Sequence, residues 1–320
     1  MGKANPFISV VLSFFNEEEN IPELVHRLRA ALDPSHASRH ELIFINDVST
    51  YRSLALLKEL AVGHRDIKVV NMSRNFGVSV CVLAGMRHAK GDVIVYLDAD
   101  LQDPPELIPT MIEKWQADPE VEVVYTTRRS RAGEGALKLA ITRLGYRILR
   151  TTSDIKLVPN SGDFKLLSRR VVNELLKMNE QKPFIRGMVT WVGFKQVQVE
   201  YDREARHAGD THFPVLGWKV ISNFLDSALI SFSDVPLKIA LLLGFVVSVG
   251  AFLWLIGVFV MKLLGYTLGG WAAIMATMLV LGGVQLLTIG VLGLYINAIF
   301  RETRQRPPYI VKDTFGFDEP

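Results

Sequence analysis

Val93–Glu106 reads V-I-V-Y-L-D-A-D-L-Q-D-P-P-E, and its change of character half-way along decides the fold. Val93 to Leu97 is a short β-branched apolar run of the kind that fills a strand covered on both faces of a parallel sheet. Asp98 and Asp100 follow at once. In an extended backbone residues two apart share a face and lie about 6–7 Å from each other. Gln102 prolongs that row if the chain stays extended. These side chains are hard oxygen ligands, which suit Mg²⁺ or Mn²⁺ better than zinc. Turn formation or capping is the plainer use of an acid after a strand. Charge concentrated at a strand's carboxyl end, where open α/β sheets bind ligands, favours the functional use. Asp103 reads differently: Pro104, Pro105 and Glu106 follow it, so it is predicted to cap a helix, with Glu106 closing a capping box.

Upstream, the same alternation repeats. Strands are predicted at Phe7–Phe15, Glu41–Asn46, Ile67–Met72 and Asp92–Leu97, with helices at Ile21–Leu32, Ser53–Val62 and Gly77–Ala89. Alternation of this kind makes an α/β protein with a mostly parallel, doubly wound sheet and right-handed crossovers. A dinucleotide-binding enzyme would share that architecture. Here, however, the first strand is followed by F-F-N-E-E-E-N, without a glycine, and neither G-x-G-x-x-G nor a P-loop lysine motif occurs in the chain.

Downstream, Val121–Thr126 is a further strand and Arg128 to Arg131 begin a cation-rich segment. Ala136–Arg150 has an amphipathic helical pattern. Asn160–Phe164 is turn-prone and carries the acid Asp163, Arg170–Met178 is helical, and Phe194–Val199 is a late strand. Between Lys238 and Arg301 the sole charged residue is Lys262. It separates two uncharged runs, each long enough for the roughly 20 residues that cross a bilayer core.

The predicted organisation is therefore a domain over 1–214, an amphipathic juxtamembrane helix over 215–235, two transmembrane helices within 236–300 (about 239–261 and 271–300), and a cytoplasmic tail over 301–320. Lys238 before the spans, with Arg301, Arg304, Arg306 and Lys312 after them, puts both ends on the cytoplasmic side. The N-terminal residues lead into a strand without a signal-like apolar segment, so the first domain is expected in the cytoplasm. Among 320 residues, 49% are hydrophobic and the net charge is +3, with no basic block that would suggest nucleic acid. The single cysteine, Cys81, makes no intrachain disulfide, and no H-E-x-x-H zinc motif occurs among the seven histidines. A hard-cation site at a sheet edge, an arginine cluster and two spans together point to phosphate chemistry at a membrane surface, with the metal on a diphosphate and the arginines on a second anion.

Several stretches carry a resemblance. N-E-E-E-N-I after the first strand, F-I-N-D at 44–47, S-R-N-F-G at 73–77, D-A-D-L-Q-D-P-P-E at 98–106, S-G-D-F-K-L-L-S-R at 161–169 and I-G-V-L-G-L-Y-I at 289–296 resemble the polyprenyl-phosphate glycosyltransferases of glycosyltransferase family 2. The bactoprenol glucosyltransferases of O-antigen modification are most similar, and dolichol-phosphate mannose synthases are more distant. The resemblance covers nearly the whole chain. It implies a GT-A fold and inverting transfer of one sugar, glucose from UDP-glucose in the first instance, to polyprenyl (undecaprenyl) phosphate at the cytoplasmic face of the inner membrane, by a homotetramer.

By the same resemblance Asp98, Asp100 and Gln102 match the metal and diphosphate motif, and Asn16, Glu18 and Asp47 match the nucleotide pocket. Arg128 and Arg131 match the region facing the acceptor phosphate, and Asp163 matches the proposed catalytic acid residue. A lipid phosphate has a second pKa near 6 by analogy with phosphorylated side chains, so it is largely ionised at neutral pH. Asp163 is accordingly expected to orient sugar or acceptor more than to remove a proton. Where the family usually reads N-D-G-S, this chain has Asn46-Asp47-Val48-Ser49. Valine does not readily take positive φ, so that turn is expected either to differ or to use an ordinary conformation. Val78, His212, Leu294 and Asn297 also depart from the pattern. Two other readings are a membrane-anchored, non-catalytic nucleotide-binding scaffold and a processive polysaccharide synthase. Against the latter, the Q-x-x-R-W motif is missing and two spans do not readily form a translocation channel.

Overall fold

The computed structural model describes residues 5–32, 40–50, 52–128, 161–202, 235–266 and 270–317. The chain divides into two compact units. The first is built on an eight-stranded sheet. Its strands are β1 (Ile8–Phe14), β2 (His40–Asn46), β3 (Ile67–Met72), β4 (Val93–Asp98), β5 (Val121–Arg128), β6 (Ser161–Ser168), β7 (Lys195–Tyr201) and β8 (Val311–Phe315). Their spatial order is β7-β5-β6-β4-β1-β2-β3-β8.

Parallel pairing joins β1 to β2 and β4, β2 to β3, and β5 to β7. The central strands β1 to β4 are buried almost throughout, which is why they read as unbroken apolar runs rather than alternating ones. Helix α1 (Ile21–Leu32) buries Ile21, Leu24, Val25, Leu28 and Leu32 at helical spacing, and α4 (Ile108–Ala117) buries Ile108, Met111, Ile112 and Trp115. Between them in sequence lie α2 (Ser53–Gly63) and α3 (Val78–His88). Gly85 of α3 lets that helix approach the sheet: a Cβ there would stand 2.4 Å from Val11 Cγ1 and 2.6 Å from Ile45 Cδ1. Further along come α5 (Arg169–Lys177), whose N-cap Ser168 accepts from Val171 N–H at 3.3 Å, and the short α6 (Ile185–Trp191).

Two expectations change. Within the predicted turn Asn160–Phe164, the described residues from Ser161 onward form β6, inserted antiparallel between β4 and β5. The stretch after the second apolar segment, expected to be a tail, returns to the sheet as β8 and pairs antiparallel with the edge strand β3. Ile310 C=O also accepts from Ser73 N–H at 3.0 Å. An edge strand covered in this way no longer exposes its backbone groups.

The second unit holds α7 (Val235–Leu263) and α8 (Trp271–Thr303). Both are long and apolar enough to cross a membrane, and most of their large apolar side chains are exposed, unlike those of a soluble core helix. Lys262 sits in the last turn of α7. The helix predicted over 136–150 and, up to residue 234, the one predicted over 215–235, with Arg131 and His212, lie outside the described residues.

Candidate active site

The carboxyl ends of β1, β2 and β4 carry three of the predicted site segments, and the strand register aligns them. Phe14 pairs with Asn46 and Ser13 pairs with Asp98, so Asn16, Asp47 and Asp98 emerge along one edge. Chain order reverses there, with β2 and β3 on one side of β1 and β4 on the other, and this switch point is where α/β sheets open a ligand crevice. Each of the three segments contains a non-glycine residue at positive φ: Asn16 (57°), Val48 (62°) and Leu101 (58°). Asparagine tolerates that region, whereas valine and leucine are strained in it. The turn at Val48 is thus left-handed, not the ordinary conformation that was one of the two expectations for it. Surrounding hydrogen bonds enforce it: Asn46 Oδ1 accepts from Ser49 N–H at 2.9 Å, and Asn16 Oδ1 accepts from Thr50 N–H at 2.8 Å.

On the β2 side, Asp47 turns its carboxylate to the S-R-N-F-G segment. Its oxygens accept from Phe76 N–H at 2.7 Å and Gly77 N–H at 2.9 Å, which anchors the chain entering α3. Glu18 accepts from Ser53 Oγ at 3.3 Å.

Past Asp98 the backbone does not stay extended. The strand ends there and a turn follows, with Leu101 at positive φ. Gln102 N–H donates to Asp100 Oδ1 at 3.2 Å. The row predicted from strand alternation is therefore a turn, and Asp100 comes near Asp98 because the chain bends. Asp103 and Glu106 do not form the predicted capping box either: the helical turn Pro105–Leu107 has Pro104 at its N-cap and α4 has Leu107, neither with a side-chain cap bond. Glu106 instead takes both Nε and Nη2 of Arg27 at 2.7 Å, while Asp103 is buried and accepts from the Tyr201 hydroxyl.

Insertion of β6 completes the site. Tyr96 pairs with Lys165 in an antiparallel register, so two residues further along Asp163 comes opposite Asp98. Arg186 of α6 donates to both oxygens of Asp163, through Nε at 2.6 Å and through Nη2. Burial raises the Asp163 carboxyl, but the charge and hydrogen bonds of Arg186 outweigh it and hold the group below the usual carboxylate range. Asp98 moves the other way: burial and the neighbouring carboxylates of Asp163, Asp100 and Asp103 push it up, and Arg186 opposes them only in part. Lys165 is buried, donates from Nζ to Gly162 C=O at 2.8 Å, and has its ammonium pushed down to about 8, chiefly by burial. Arg128, at the end of β5, donates from Nε to the Tyr201 hydroxyl at 3.3 Å. Burial and the Asp103 carboxylate push that hydroxyl up to about 12.

The edge thus separates charge. Asp98, Asp100 and Asp103 gather after β4, while Arg128, Lys165 and Arg186 come from β5, β6 and α6. A carboxyl raised first by burial and then by its acidic neighbours gains from a cation placed beside it. Among the described residues no group of three or more His, Cys, Asp or Glu side chains forms a ready cage. Mg²⁺-type sites need only one or two carboxylates, alongside waters and substrate phosphates.

The family model for glycosyl transferase family 2 matches residues 9–176, which span β1 to α5 and hence the acidic edge and Asp163. This chain belongs to glycosyltransferase family 2. The sheet with its antiparallel β6 insertion is the GT-A fold expected of such an enzyme. Among this glycosyltransferase's relatives, the uncharacterized glycosyltransferase YkcC of Bacillus subtilis (strain 168) is 40% identical over 311 residues, covering 97% of this chain and 94% of that protein. A prophage bactoprenol glucosyl transferase homolog of Escherichia coli (strain K12) is 39% identical over 308 residues, covering 95% and 98%. The bactoprenol glucosyl transferase of Shigella phage SfV is 38% identical over 309 residues, covering 96% and 98%. These alignments run through both apolar helices.

The predicted residues Asn16, Glu18, Asp47, Asp98, Asp100, Gln102, Arg128 and Asp163 all fall at this one edge of the glycosyltransferase. Sequence reasoning missed Lys165, Arg186 and Tyr201 as members and misread Asp103. A signal existed for Lys165, since D-F-K-L alternates polar and apolar residues as a strand does. Arg186, in F-I-R-G, carried none.

Proposed function

We propose that this family 2 enzyme transfers a single sugar, glucose from UDP-glucose in the first instance, to a polyprenyl phosphate such as undecaprenyl phosphate at the cytoplasmic face of the inner membrane. The observation that carries this reading is the separated charge at the β4 edge: acids for a metal-bound diphosphate, and cations for a second anion. The full-length likeness to bactoprenol glucosyl transferases supports the acceptor, and α7 and α8, as transmembrane helices, would keep the enzyme beside it. Assembly as a homotetramer belongs to the same reading and rests on the family resemblance.

In the reaction an acceptor phosphate oxygen bonds to the anomeric carbon as the bond from that carbon to the diphosphate oxygen breaks, inverting the centre and releasing the nucleoside diphosphate. A bound Mg²⁺ or Mn²⁺ would offset the charge appearing on the leaving group. Asp98 and Asp100, with Gln102, would hold that ion, while Asn16, Glu18 and Asp47 shape the nucleotide side. Arg128, Lys165 and, from outside the described residues, Arg131 would receive the acceptor phosphate. Because that phosphate is already ionised near neutral pH, Asp163 need not take a proton. A carboxylate held acidic by Arg186 is a weak base suited to orienting sugar or acceptor.

The test combines purified protein, undecaprenyl phosphate, Mg²⁺ or Mn²⁺ and a panel of radiolabelled nucleotide sugars. Lipid-soluble label is expected, lost with EDTA and reduced at least about 100-fold by Asp100→Asn. Nucleotide binding without transfer from any donor would favour the scaffold reading instead, and polymeric product would favour a processive synthase. Arg128→Ala should weaken use of the acceptor while sparing donor affinity.

A further inference from the structure

The strand β8 does more than cover an edge. Asp313, its third residue, accepts at Oδ2 from Asn71 Nδ2 at 3.0 Å. Asn71, buried at the end of β3, accepts at Oδ1 from Asn46 Nδ2 at 2.9 Å. Asn46, buried at the end of β2, accepts at Oδ1 from Ser49 N–H at 2.9 Å. Ser49 Oγ then accepts from Asn16 N–H at 3.0 Å, and Asn16 Oδ1 accepts from Thr50 N–H at 2.8 Å. A continuous hydrogen-bonded row therefore runs from the C-terminal strand, beneath the strained Val48 turn, to Asn16 beyond β1.

The row has a direction, and Asp313 sets it. A carboxylate can only accept, whereas each side-chain amide offers one donating and one accepting end. Facing Asp313, Asn71 must present its NH₂ group, which leaves its carbonyl oxygen for Asn46. Asn46 in turn spends its NH₂ on Asn71 and keeps its oxygen for the Ser49 amide. With the order reversed, Asn46 would meet Ser49 N–H donor against donor, and two buried amides would lose partners. Rows of this kind polarise along their length. Lys58 Nζ lies 3.5 Å from Asp313 Oδ1 and helps keep the carboxylate in place. At the far end of the strand Gly316, at φ 77°, lies so close to β3 that a Cβ would meet Ile67 C=O at 2.4 Å, and the Phe317 ring sits 5.3 Å from Lys68 Nζ. Both fix where β8 docks along β3.

We propose that Asp313 is a positioning residue for the donor site: by orienting Asn71 and Asn46 it holds the Asp47–Thr50 turn in its left-handed, nucleotide-receiving form. This rests on the assignment of the β1 and β2 turns to the nucleotide. Since residues 304–310 connect α8 to β8 in the chain, the segment leaving the second apolar helix is also the one that shapes the donor pocket.

The test uses full-length protein in detergent carrying Asp313→Ala, Asp313→Lys or Asp313→Asn. Amide exchange over residues 46–50, followed by mass spectrometry without substrate, should speed up about fivefold in Asp313→Ala, as for the loss of one hydrogen bond. It should speed up more in Asp313→Lys, which puts a donor where the row needs an acceptor. Asp313→Asn, able to turn its own carbonyl oxygen to Asn71, should restore wild-type exchange. In turnover the first two should raise KM for the nucleotide sugar severalfold, leaving kcat and the acceptor KM unchanged. Unaltered exchange over 46–50 in Asp313→Ala, or a rise spread evenly through β3 and β8 with no change in donor KM, would overturn the proposal. A wild-type enzyme that turns over no nucleotide sugar would count against the functional reading, while the exchange result would still decide the row.

Discussion

Replacing Arg186 with methionine should move two properties of the site in opposite directions. The guanidinium donates to both oxygens of Asp163, and hydrogen bonds to a charged group contribute about 1.5–3 kcal/mol each when well buried. Here 31% and 32% of the two side chains reach solvent. Solvent screening therefore reduces the pair to ~2 kcal/mol, well below that sum. Methionine keeps a flexible apolar stem against the same surface. Local protection over residues 161–165 should consequently fall about 30-fold in amide exchange, at 1.4 kcal/mol per factor of ten.

The metal side responds the other way. Arg186 opposes the carboxylates that crowd Asp98, so it competes with any cation drawn to them. Removing one positive charge from a partly screened site is worth on the order of 1 kcal/mol. Mn²⁺ bound in the presence of UDP and titrated by electron paramagnetic resonance should then half-saturate at about fivefold lower concentration. Weaker or unchanged Mn²⁺ binding in Arg186→Met would refute the charge-separated description of the site, whatever happens to stability.

Other substitutions probe the same description. Lys165 binds its proton up to about 8 in the fold and up to 10.5 when unfolded, so between those pH values the unfolded chain holds more protons and stability should rise with pH. Lys165→Met should remove that rise in melting curves taken across the window. Tyr201→Phe takes the hydroxyl from between Asp103 and Arg128, at a cost of about 1–3 kcal/mol; a lower melting temperature and a raised KM for the lipid acceptor are expected. Gly85→Ala would force α3 off the sheet at Val11 and Ile45. Overpacking of about 1–3 kcal/mol exceeds the roughly 1 kcal/mol of improved helix propensity, so net destabilisation is expected in the same melts.

Much of the sheet was legible because its signals are local. The apolar runs of β1 to β4 and the helical spacing in α1 lie within short stretches, and their predicted bounds fall within one residue of those observed at Ile8–Phe14, His40–Asn46, Ile67–Met72 and Ile21–Leu32. The acids after β4 were legible for the same reason, since a strand that ends in Asp98 must deliver it to the sheet's carboxyl edge. Local reasoning failed where a backbone choice depended on distant partners. Leu101 and Val48 adopt conformations that their own side chains disfavour, and for Val48 hydrogen bonds to Asn46 and to Asn16, beyond β1, enforce the turn.

By itself, then, the sequence determined an α/β sheet, two apolar helices and an acidic edge suited to a hard cation, all from periodicity and charge within single segments. Only the tertiary structure decided which residues meet there. Asp163 reaches Asp98 because β6 enters antiparallel between β4 and β5. Arg186 holds Asp163 from α6, Tyr201 reaches Asp103 across 98 positions, and Asp313 reaches Asn71 across 242. Such contacts follow from strand order and register, which the summed packing of the whole chain selects and no local pattern encodes.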